Sequence, residues 1–132
     1  MMSVERLTET AGEEFASILA TKNPDRLRAM FADSLDFRAL TPNNFWEAET
    51  PHQLVDEIIY GQWFEPTDHI QGVTTVTTSR VADCEHVAYR LRITNPGGNF
   101  IVEQQAYYTT NDGKIDWMRI LCTGFRPATS VS

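Results

Sequence analysis

The residues of this chain that could do chemistry gather in a few short stretches. "NNFWEAETPHQ", residues 43–53, holds Glu47, Glu49 and His52 behind two large aromatics, Phe45 and Trp46. A carboxylate or imidazole beside an apolar wall is the material of a general acid–base site. "HVAYRLRIT" and "VEQQAYY" carry Tyr89, Gln104 and Tyr108, which offer hydroxyl and amide hydrogen bonds to a ligand. "ILCTG" carries Cys122, which is a nucleophile only where its thiolate is stabilised. No base neighbours it in sequence, so it reads as a buried structural thiol.

Other chemistries are poorly served. His52, His69 and His86 lack metal-ligand spacing, and His69 and His86 fall at the starts of predicted strands, where they read as surface residues. "NPGGN" is a turn between strands, not a phosphate-binding loop. The net charge of −7 repels phosphate backbones and anionic lipid, so no nucleic-acid partner is expected. No apolar run approaches the roughly 20 residues that span a bilayer, and "MMSVERLTETAGEEF" lacks the pattern of a signal peptide. Cys84 and Cys122 read as reduced thiols of a cytoplasmic protein. No cofactor and no metal are expected.

The elements that must position these groups follow from periodicity. Val4, Leu7, Ala11, Phe15, Ile18 and Leu19 recur every three or four residues, one face of a helix ending near Lys22. Asn23 caps a second helix with Pro24 in its first position, and "SLDFRALTP" is a short strand. "NNFWEAE" then reads as an aromatic loop. Thr50, Pro51 and Gln53 open a third helix, whose stripe is Leu54, Val55, Ile58 and Ile59. His52 near its start suits a base, because a helix N-terminus favours the neutral imidazole. From residue 69 onward, β-branched and alternating runs predict four long strands joined by turns such as "NDGK". The length of 132 residues suits one domain, residues 1–132, with 126–132 a frayed tail. Helices first and antiparallel strands after is the α+β pattern.

This order resembles the nuclear transport factor 2-like superfamily, which includes ketosteroid isomerases and SnoaL-like polyketide cyclases. "FASILATKNPDRLRAMFADSLDF" is similar to the first-helix-to-first-strand segment of the isomerases, and "NDGKI" is typical of the group. The resemblance implies a cone-shaped α+β barrel (cystatin-like), with N-terminal helices packed on a strongly curved, mostly antiparallel sheet. It also implies a pocket in the cone and a homodimer through the sheet. The isomerases use a first-helix tyrosine, a first-strand aspartate and a later-strand aspartate. The matching positions here are Phe15, Ala39 and Ala106, or Gln105 under a one-residue slip. Phenylalanine and alanine cannot move protons, so the isomerase mechanism is disfavoured.

Alternation sorts the strand residues into two faces. Phe15, Leu19, Phe37, Ala39, Trp46, Tyr89, Leu91, Gln104, Ala106, Tyr108, Met118, Ile120 and Cys122 are expected to line a mainly apolar pocket. Arg90, Arg92, Glu103, Gln105, Tyr107, Trp117 and Arg119 would share the outer face, where aromatics among arginines suggest a dimer interface. The sequence therefore points to a pocket protein for a small apolar or polycyclic molecule. Any catalysis would be cofactor-free cyclisation, dehydration or hydration, with His52 or Glu49 as the proton carrier. The alternative is a non-catalytic ligand-binding or dimerisation module.

Overall fold

A computed structural model describes residues 10–128 of the chain. Helix α1, Ala11–Thr21, opens on a reciprocal cap. Thr10 Oγ1 accepts the Glu13 N–H at 3.0 Å, and the Glu13 carboxylate accepts the Thr10 N–H at 2.9 Å. Thr10 is extended, so the helix starts there and does not run on from Val4 as the apolar spacing predicts. Val4 and Leu7 themselves lie outside the described residues. The helix ends where Lys22 turns left-handed at φ 56°. Asn23 then caps α2, Pro24–Arg28, as its sequence predicts.

Strand β1, Phe31–Thr41, turns at Asn43 (φ 67°) into β2, Asn44–Ala48. The expected aromatic loop is therefore a strand. Its five residues are too short for a periodic signal, but the alternation is present: Phe45 faces out and Trp46 faces in. Helix α3, Gln53–Trp63, buries Leu54, Val55, Ile58 and Ile59 and is wound in the wide π register. Its last turn closes from Phe64 N–H back to Ile59 O, five residues away, at 2.8 Å. A Cβ on Gly61 would stand 2.7 Å from the Asp56 carbonyl oxygen, so this register admits only glycine there.

The remaining strands are β3 (His69–Val81), β4 (Cys84–Asn95), β5 (Gly98–Asn111), β6 (Lys114–Cys122) and β7 (Arg126–Pro127). They join β1 and β2 in one sheet of order β2-β1-β6-β5-β4-β3, with β7 paired to β5. Only β1 and β6 run parallel. The sheet is open, with β2 and β3 at its edges, so the barrel expected from the resemblance is not closed. Arg126 and Pro127 are not part of a frayed tail: they pair with Ile101 and Phe100.

The core sits between the helices and one sheet face. Val87, Tyr89, Leu91 and Ile93 of β4, Val102, Gln104, Ala106 and Tyr108 of β5, and Ile115, Met118 and Ile120 of β6 are all buried. Gln105 is exposed, so Ala106 is the inward residue and no slip exchanges the faces. Among the described residues no helix is long and apolar enough to cross a membrane.

Candidate functional site

Residues expected to line one deep cavity divide into a packed core and a cleft wall. Phe15 sets its ring edge-on against Phe31 and Tyr89, with centroids 6.0 and 6.1 Å apart. Leu19, Phe37, Ala39, Leu91, Ala106, Met118 and Ile120 are buried in the same hydrophobic core. Large side chains at Phe15, Tyr89 and Tyr108 fill the space that small ones would leave open.

The polar groups of this core satisfy one another. Tyr108 Oη accepts the Gly12 N–H at 2.7 Å and ties the sheet to α1. The Tyr89 hydroxyl donates to Gln104 Oε1. Gln104 Nε2 donates in turn to Cys122 Sγ at 3.3 Å, and Gly124 N–H donates to the same sulfur at 3.4 Å. Burial pushes the Tyr89 hydroxyl well above its ordinary pKa and raises that of Tyr108, so both stay neutral. Tyr89, Gln104 and Tyr108 therefore hold the protein together rather than presenting free handles to a ligand.

Open space lies at the rim, in a cleft of about 360 Å³. Trp46 of β2, Trp63 and Phe64 at the end of α3, Cys122 of β6, Phe125 and Arg126 line it. The tryptophans meet edge to face at 6.2 Å, and Phe64 stacks on Phe125 at 6.0 Å. Trp46 Nε1 donates to Thr41 Oγ1 at 2.8 Å. Trp63 Nε1 is buried and has no hydrogen-bond partner among the described residues. Of the expected cavity residues, Trp46 and Cys122 belong to this cleft; Trp63, Phe64, Phe125 and Arg126 were missed. The available signal was the aromatic pair in "GQWF" and the lone aromatic in "TGFR".

His52 and Glu49 are not on the cleft. His52 stands on the outside of α3, its side chain 68% exposed, with Nδ1 3.0 Å from Asp56 Oδ2 and Nε2 3.4 Å from Glu57 Oε2. Arg28 Nη1 of α2 holds the same Asp56 carboxylate at 2.6 Å. Glu49 is exposed, and its backbone carbonyl accepts the Leu35 N–H. Neither turns inward, because the apolar stripe of α3 starts at Leu54 and leaves the first turn in water.

The outer sheet face carries the residues expected there. Arg90 pairs with Glu103 at 3.1 Å, and Arg119 lies over the Trp117 ring at 4.4 Å and pairs with Asp36 at 3.0 Å. His86 stacks on Tyr107 at 4.6 Å and contacts Gln105 Oε1 through Nε2 at 3.1 Å. Gln105 and Arg92 are exposed beside them. Leu40 and Leu121, and Phe45, which was expected in an aromatic wall beside the pocket, are each at least half exposed on this face. They flank an apolar groove of about 360 Å³ with Tyr107 and Arg119.

No protein-family profile matches the chain, and no curated protein matches it in sequence. Solved structures do match in shape. A proposed isomerase from Bacillus subtilis superposes with a TM-score of 0.70 at 16% identity, over 86% of this chain and 84% of that one. An LEH-like epoxide hydrolase from M. tuberculosis gives a TM-score of 0.64 at 13% identity, over 85% and 79%. A proposed SnoaL-like polyketide cyclase from Mesorhizobium loti gives 0.58 at 16% identity, over 83% and 94%. At such identities the likeness is one of fold.

Proposed function

We propose that this chain, which has the nuclear transport factor 2-like fold, binds a small, largely apolar molecule in the rim cleft. One observation carries the reading: the cleft is walled by Trp46, Trp63, Phe64 and Phe125, and its ionisable members are Cys122 and Arg126. Its volume of about 360 Å³ falls at the lower end of the roughly 300–1,000 Å³ usual for ligand sites. The wall holds no carboxylate or imidazole, so the cleft suits binding better than cyclisation, dehydration or hydration. The buried Trp63 N–H has no partner among the described residues and would donate to a ligand acceptor that reached it.

Cys122 gives the test. Titrating the protein with 2-acetylnaphthalene, a neutral planar ketone, is expected to slow N-ethylmaleimide alkylation of Cys122 and leave that of Cys84 unchanged, as read by mass spectrometry. Both thiols are free and half-buried, but only Cys122 lines the cleft, so Cys84 is the internal control. Equal rates at both cysteines with and without the probe would sink the reading.

The outer face favours a homodimer. Leu40, Phe45 and Leu121 leave large apolar surfaces in water beside charged pairs that a symmetric partner could exchange. Leu121→Asp is expected to weaken self-association by about tenfold or more, a shift visible by sedimentation at micromolar protein. A wild-type chain that sediments as a monomer would rule the dimer out. The free thiols suit a reducing compartment, and we place the protein in the cytoplasm on that ground.

A further inference from the structure

We infer that the ligand of the rim cleft is an aromatic acid, its flat body between the aromatic walls and its carboxylate on Arg126. The inference rests on the cleft reading and names the class of molecule that reading leaves open.

The cleft has donors to spend and no anion to receive them. Arg28, Arg38, Arg80, Arg90 and Arg119 each pair with a carboxylate. Arg126 pairs with none among the described residues, although the chain carries a net charge of −7. Arg26 and Arg92 also lack a carboxylate partner, but neither lines this cleft. A molecule that satisfies such a wall brings acceptors, and a carboxylate is acceptor-only and matches the guanidinium fork with two parallel hydrogen bonds.

Arg126 is held at the rim rather than trailing from it. Its backbone pairs with Ile101 in the two-residue strand β7, Pro127 follows, and Ala128 N–H donates to Asn99 O at 3.1 Å. Arg126 also borders a second recess of about 420 Å³, which shares Thr41, Pro42, Cys122 and Thr123 with the cleft and continues over the rim towards Leu40 and Leu121. A carboxylate on Arg126 would thus sit at the wet end of the site while the rings stay at the dry end. That division spares the charge the cost of burial.

Calorimetric titration of the full chain with 2-naphthoate and with 2-acetylnaphthalene separates the possibilities. The two probes share the ring system and a planar carbonyl and differ in charge. The expected result is about tenfold tighter binding of 2-naphthoate, the gain of one charge-assisted pair at an exposed site. Arg126→Gln should remove that preference, the loss falling on 2-naphthoate far more than on 2-acetylnaphthalene. Arg126→Lys should retain part of it, and added salt should erode it in the wild type. Equal affinity for the two probes, or a preference that survives Arg126→Gln, overturns the aromatic-acid inference and leaves the cleft reading standing. Failure of both probes to bind and to protect Cys122 overturns the two together.

Discussion

Ala39→Asp is expected to destabilise the fold by about 4 kcal/mol at pH 7, the cost of keeping a buried carboxyl protonated about three pH units above its unfolded pKa. The substitution restores the first-strand aspartate of the ketosteroid isomerases at one of the positions where this chain departs from them. Ala39 is 3% exposed, and its neighbours across the sheet are Trp46 on β2 and Ile120 on β6. A carboxylate there has no charged or amide partner on either side in register. The pH dependence fixes the sign. The unfolded aspartate titrates near 3.9, and burial raises the folded value above that. The folded variant therefore holds its proton more tightly than the unfolded chain. Its stability is greatest below about pH 4, falls as pH rises, and levels off above the raised folded pKa. Urea unfolding of the variant at pH 4 and pH 7 should show the lower midpoint at pH 7. A midpoint equal to wild type at both values would mean that residue 39 reaches water, and the core described here would be wrong. The variant is expected to gain no isomerase activity, because Phe15 and Ala106 still stand where those enzymes carry their other two groups.

Phe15→Ala should cost about 3–5 kcal/mol, the usual penalty for removing a buried aromatic. Phe15 is wholly buried and sets ring edges against Phe31 and Tyr89, which links α1 to β1 and β4 at one point. That loss is a large share of the roughly 5–15 kcal/mol that stabilises a typical domain. The denaturation midpoint should fall steeply, and near-ultraviolet dichroism should weaken before helix content does. A loss under about 1 kcal/mol would mean that α1 repacks freely over the sheet. That outcome would reopen the deep cavity that the aromatic packing fills.

The strand registers explain how much of the fold was legible in the sequence. On β4 and β5, one residue in two is apolar apart from Gln104, and burial follows that alternation without a slip. Capping residues at Asn23 and Thr50 located helix starts because short polar side chains satisfy open N–H groups locally. The same local chemistry sets the start of α1 at Thr10, whose side chain caps the Glu13 N–H. Strand β2 was missed because five residues carry too few periods, and β7 because two residues carry none.

By itself the sequence determined the α+β class and the inward faces of β4, β5 and β6, which follow from residue type and spacing along one element, and the resemblance put Phe15 and Ala39 where the isomerases carry reactive groups. Only the tertiary structure decided where the site lies. Trp46, Trp63, Cys122, Phe125 and Arg126 come from three separate parts of the chain and meet only because β2, the end of α3 and the segment from β6 into β7 converge at one rim. It also decided that Glu49 and His52 face water, since the direction of α3 is set by what Leu54 and Val55 bury rather than by the charge of the residues before them. Whether an apolar face closes into core or leaves a cleft depends on how side-chain volumes from different strands add, and no single strand carries that sum.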